Sequence, residues 1–115
     1  MSSTQLLPNA REQSSYGIEV SSFDSAGNPC IPKTMNWSLM DKQKNIINSR
    51  QNVPIIPTGV FTIITLEGDD LQIVDPTMIV ENRVLVVQGT NDDITLGQDS
   101  PFEYSFLFDV ESMVT

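Results

Sequence analysis

Histidine is absent from the 115 residues, and cysteine and tryptophan occur once each, as Cys30 and Trp37. Without histidine every Ser-His or Cys-His nucleophile arrangement falls away, together with the commonest general base and metal ligand. A lone cysteine forms no internal disulfide, which excludes a bridge-stapled scaffold and leaves stability to packing. Basic residues are few as well: six against fifteen acids, for a net charge of -9. That charge repels phosphate backbones and anionic membrane faces, so neither nucleic acid nor a membrane is an expected partner. No stretch approaches the roughly 18 apolar residues of a membrane span. The start, MSSTQLLPNAREQSS, lacks the basic and apolar regions of a signal peptide. The expectation is a protein made in a cytoplasm.

At this length one domain can bury most of its apolar surface in a single core. Residues 1–14 are polar, carry Pro8 and show neither period, so they read as an N-terminal arm; the domain spans 15–115. Tyr16, Ile18 and Val20 alternate with Gly17, Glu19 and Ser21, the pattern of a half-buried strand. The turn residues Asp24 to Pro29 end it. Met35, Trp37 and Leu39 form one face of a second strand, which breaks at the DKQKN turn, Asp41 to Asn45, and resumes with Ile46 and Ile47. In VPIIPTG two prolines that cannot donate ladder hydrogen bonds mark an edge or a strand switch. Val60 to Leu66 is β-branched almost throughout and apolar on both faces, as a central strand should be. Leu71 to Val74 reads as a short strand or a turn of helix, Arg83 to Val87 as a strand, and Gly89 to Asp93 as a loop. Tyr104, Phe106, Phe108 and Val110 alternate through a last strand. About seven or eight short strands, with no 3.6-residue period, predict an all-β fold, an antiparallel β-sandwich. Its expected core includes Trp37, Leu39, Ile64, Leu71, Phe106 and Phe108.

The order IEVSSFDSAGNPCIPKTMNWSLMDKQKNIIN, then an apolar strand ending in ITLEGDDL, then VLVVQGTND and a terminal FLFDVE resembles a known group. These are the small immunoglobulin-like or fibronectin-type-III-like β-sandwich proteins encoded among the virion structural genes of tailed bacteriophages. The resemblance spans Tyr16 to Glu111. It is most specific in WSLMDKQKNIIN, which is similar to that group's W-x-L-x-D-x-x-G-x-x-I-N hairpin, and in GDDL at Gly68 to Leu71. Lys44 and Asn45 stand where the group's turn has a glycine, and asparagine tolerates the left-handed conformation that such a turn needs. The resemblance implies a virion component, made in the host cytoplasm, that binds or cements and carries no catalytic residue. A capsid-decorating or stabilising protein is the first expectation; a head-to-tail connector or tail accessory protein is the alternative. The implied partners are other virion proteins, the major capsid protein or portal and connector proteins, met in multiple copies in a symmetric assembly.

Charge is uneven along the chain. Eleven of the acids fall between Glu67 and Glu111, while Lys42, Lys44 and Arg50 cluster around the first hairpin. Such a dipole lets copies or partners meet basic hairpin to acidic face. The candidate partner contacts are accordingly Leu6, Leu7, Pro8 and Arg11 of the arm and Lys42, Lys44 and Arg50 of the hairpin. The pairs Asp69/Asp70 and Asp92/Asp93 are candidate calcium ligands if their loops converge with Glu67, Asp75 and Asp99. Neither has the spacing of a calcium loop, and aspartates that bond their own turns explain them as well. No cofactor is implied. Cys30 lies between Pro29 and Pro32 with Lys33 as its nearest charge and no base to use it, and no pair of acids is singled out for glycoside chemistry. A non-enzymatic protein is expected. A reading of another class, a host-surface or carbohydrate-binding module, calls for aromatic residues in loops, where this chain has few.

Overall fold

The computed structural model describes residues 2–5, 10–23, 27–56, 58–74, 77, 79–93 and 98–112, the side chains of 2–5, 92–93 and 98–100 excepted. The fold is mostly β. In chain order the strands are β1 (Ser2–Gln5), β2 (Ala10–Arg11), β3 (Ser15–Ser21), β4 (Thr34–Met40), β5 (Val53–Pro54), β6 (Phe61–Glu67), β7 (Val80–Asp93) and β8 (Gln98–Glu111). One turn of 3-10 helix, Gly68–Leu71, follows β6. Among the described residues no helix is long and apolar enough to cross a membrane.

Two sheets form. The larger runs β1-β8-β7-β4-β5, with β2 also on β8; the smaller is the pair β3-β6. Period-two patterning drives both. On β4, Met35, Trp37 and Leu39 turn inward, and on β6, Ile64 and Leu66 do. These side chains join Ile18 and Val20 of β3, Leu85 and Val87 of β7, and Phe108 and Val110 of β8 in one buried cluster that closes the two sheets together. The Tyr16 and Phe108 rings stack across the gap with centroids 5.0 Å apart. Of the six expected core residues, Trp37, Leu39, Ile64, Leu71 and Phe108 are buried, and Phe106 is partly buried against the cluster.

Several sequence expectations change. The larger sheet is mixed, not antiparallel throughout, because β1 and β2 run parallel to β8. Residues 2–5 and 10–11 of the segment that showed no period thus supply backbone pairing, and Ala10 is buried. Among the described residues Val60 to Leu66 is not a central strand. β6 pairs on one side only, with β3, and its outward Phe61 and Ile63 are 55% and 56% exposed. The return strand of the hairpin is β5, while Ile46 makes a single bridge to Met40. Gly89 to Asp93 is strand: β7 pairs with β8 without interruption from Val80↔Glu111 to Asp93↔Gln98. β4 covers β7 only up to Thr90, so Asn91–Asp93 and Gln98–Ser100 continue past it as a two-stranded ribbon. The molecule is correspondingly long, 53 × 23 × 23 Å.

Candidate contact surface around residues 41–52

The segment between β4 and β5 is shaped by its own side chains. Asp41 Oδ1 accepts from the backbone N–H of Gln43 and of Asn45, each at 2.9 Å, and Oδ2 accepts from Asn45 Nδ2 at 3.1 Å. This Asx arrangement closes the turn. The backbone N–H of Asn45, first, with the Asn45 amide, the Gln43 N–H and the charge of Arg83, holds the Asp41 carboxyl below its ordinary value of 3.8 against a smaller desolvation effect. The left-handed residue is Lys44, at φ 68°, and not Asn45, whose side chain is committed to Asp41.

Beyond the turn, Ile47 N–H donates to Leu39 O and Leu39 N–H to Arg50 O, which fastens the segment to β4. Asn48, Ser49 and Asn52 also have left-handed backbones, at φ 54°, 56° and 51°. Asp70, from the 3-10 turn after β6, holds this contorted stretch in place. Asp70 is 1% exposed. Its Oδ1 accepts from Asn48 Nδ2 at 2.8 Å and from Arg50 Nε at 2.7 Å, and its Oδ2 from the Glu67 N–H at 3.3 Å. A buried carboxylate is tolerable only with such partners. The Arg50 guanidinium also lies 5.9 Å from the Trp37 ring centroid, within cation–π reach. WSLMDKQKNIIN, residues 37–48, therefore meets GDDL through Asn48 and Asp70, and Arg50, two residues past it, bridges Asp70 and the Trp37 ring.

The remaining candidates divide by position. Lys42 and Lys44 are exposed, and among the described residues neither makes an ion pair. They line a groove on the outer face of the larger sheet, together with Met40, Ile46, Val84 and Val86. Glu103, also in this groove, accepts from Gln88 Nε2 at 2.8 Å. Arg50 is drawn inward to Asp70, and Arg11 is exposed on β2. Leu6, Leu7 and Pro8 lie outside the described residues. The acidic pairs do not converge: Asp69 and Asp70 follow the end of β6 that pairs with Ser15, whereas Asp92 and Asp93 lie on the ribbon past the other end. Asp69 accepts instead from Gln13 Nε2 at 3.2 Å. Among the described residues no group of three or more metal-ligating side chains assembles. The sequence pointed to Lys42 and Lys44 by charge. It did not point to the outward face of β6, because exposed Phe61 and Ile63 carry the same letters as buried ones.

No family model, no curated protein and no solved structure matches this chain.

Proposed function

We propose that the chain is a non-enzymatic contact module of immunoglobulin-like type, held in a larger assembly through its exposed strand edges. The observation that carries this reading is β6. From Phe61 to Leu66 it bears no charge and no proline, among the described residues it pairs on one side only, and it presents Phe61 and Ile63 to solvent. Solitary chains blunt such an edge with lysine, proline or a bulge. An edge left bare invites a partner strand, with the backbone giving affinity and alternate side chains giving specificity.

The strand order supports the immunoglobulin-like part. β8-β7-β4-β5 facing β3-β6 follows the sheet plan of those domains, with a buried tryptophan on the β4 position. Where many of them place an inter-sheet disulfide, this chain packs aliphatic side chains of β3 and β7, Ile18, Val20, Leu85 and Val87. The smaller sheet lacks described neighbours beyond β6, which is what leaves the edge bare.

The virion part of the reading rests on the resemblance of WSLMDKQKNIIN and GDDL to structural proteins of tailed phages, and within it a capsid-decorating or stabilising role comes first. The bond between these two segments, Asn48 Nδ2 to Asp70 Oδ1, supports taking them as one unit. The test is co-sedimentation of the purified chain with tailed-phage capsids stripped of their small proteins. The wild-type chain is expected to travel with the particle and Ile63→Lys, at an exposed site, to stay behind. A wild-type chain that ignores the particle overturns the virion reading, and an Ile63→Lys chain that still binds overturns the role of β6.

A further inference from the structure

Both N-terminal strands pair with a single strand of the domain. β1 lies along Tyr104 to Leu107 and β2 along Val110 and Glu111, on the edge of β8 that faces away from β7. Ala10 enters the core, and Arg11 stays exposed. Three residues, 12–14, then carry the chain from β2 to β3 in the other sheet. This turn is closed by the Ser14 N–H and Oγ, which both donate to Arg11 O at 3.2 and 2.6 Å, and by the Gln13 N–H, which donates to Leu71 O at 3.2 Å. Closure sets Gln13 at φ 60°, a left-handed backbone that is unfavourable for a residue with a Cβ. A short hinge under strain is the combination that favours opening and exchange of the element beyond it.

Opening the hinge loses the bonds of the turn and releases Gln13 to an extended backbone. Straightened, the three residues span about 10 Å. The remaining contacts of the arm can all be made again on a second copy, because that copy presents the same β8 edge. They are the pairing of β1 and β2, the Glu12 N–H bond to Glu111 O at 2.8 Å and the burial of Ala10. The fold thus shows what fits this edge: residues 2–5 and 10–11 of this chain, in a fixed register.

We propose that the N-terminal strands exchange between copies, β1 and β2 of one chain seating on β8 of another with residues 12–14 as the hinge. Reciprocal exchange gives a two-fold dimer, and exchange passed from copy to copy gives a row. The net charge of -9 on each copy opposes their meeting, so salt, which screens that repulsion, favours exchange. The inference stands on the topology of the arm and the backbone of its hinge, and does not rest on the virion reading or on β6.

The test refolds the full chain from urea at high protein and salt concentration and weighs the products by size exclusion with light scattering. Wild type is expected to give a dimer beside the monomer. Gln13→Pro forbids the positive φ of the closed turn and is expected to raise the dimer-to-monomer ratio at least about tenfold. Gln13→Gly removes the strain of the closed turn and is expected to lower that ratio by about the same factor. Both variants lose the Gln13 side-chain bond to Asp69, so opposite effects report the backbone alone. Hydrogen exchange is expected to show the amides of residues 2–5 and 10–12 as well protected in the dimer as in the wild-type monomer. If Gln13→Pro does not fold, the wild-type and Gln13→Gly ratios decide. A wild-type chain that stays monomeric, equal ratios in the wild-type and glycine chains, or a dimer whose arm amides exchange faster than the monomer's would each overturn the proposal.

Discussion

Arg50, in the segment between β4 and β5 of the larger sheet, and Asp70, in the turn after β6 of the smaller one, are joined by a 2.7 Å bond from Arg50 Nε to Asp70 Oδ1. The two partners are unequal, for the Arg50 side chain is 42% exposed and that of Asp70 only 2%. Removing Arg50 leaves a buried carboxylate short of its countercharge, whereas removing Asp70 lets the guanidinium reach water. Arg50→Ala is therefore expected to destabilise more than Asp70→Ala, by about 2–4 kcal/mol against about 1–3 kcal/mol. Urea unfolding of the two variants measures the order, and the reverse order would show that the buried partner's charge is not the controlling group.

Lys44 occupies the left-handed region at φ 68°, where a Cβ is unfavourable by about 1–2 kcal/mol. Lys44→Gly removes that strain, although glycine gives back part of the gain by loosening the unfolded chain. A net stabilisation of about 0.5–1 kcal/mol is expected. Asn45→Gly, one residue along, is expected to destabilise, because it deletes the side-chain bond to Asp41 and relieves no positive φ. Melting curves of the pair assign the left-handed position directly.

Asp41 makes the fold sensitive to acid in a definite direction. Its carboxyl titrates below 3.8 in the folded chain, so the folded state favours the charged form. The stability it contributes is complete above the unfolded value and is lost as pH falls below 3.8 through the lower folded value. Asp41→Asn mimics the protonated acid and keeps one acceptor. The difference in Tm between wild type and Asp41→Asn is expected to be constant near neutrality and to shrink toward zero in this acid window. A difference that stays constant down to the acid limit would contradict the assignment.

How much could be read beforehand depended on whether a residue's role was local. The inward faces of β3, β4, β6 and β8 followed from period two, since alternation is set by the strand itself. The core of the 41–52 segment did not. Asp70 reads as a turn-forming aspartate until Arg50 and Asn48 arrive from some twenty residues away. Apolar residues on both faces of Phe61 to Leu66 argued for burial on both sides, yet among the described residues only the Ile64 and Leu66 side has a covering sheet. The parallel pairing of β1 and β2 with β8 was equally unreadable. It uses backbone groups that every residue carries, and it joins the two ends of the chain.

Gly89 gave the most misleading local signal, and it yields the sharpest prediction. Beside Thr90 and Asn91 it reads as loop, because glycine is poor in strands and favoured in turns. In the fold it lies mid-strand, opposite Met35 on β4 and Phe102 on β8. A Cβ there would collide with the backbone oxygen of Thr34 and would come within 2.7 and 2.9 Å of two Phe102 ring atoms. The aromatic ring thus fills the space that the missing side chain vacates, and it shields a stretch of β7 that glycine would otherwise leave bare. Gly89→Ala is expected to destabilise by about 3 kcal/mol, since the clash is with backbone as well as with a ring that is itself packed on Tyr104 at 5.2 Å. Phe102→Ala in the Gly89→Ala background removes the ring and leaves the Thr34 clash. Partial recovery relative to the sum of the two single variants is therefore expected, and full additivity would mean that the ring does not lie over Gly89.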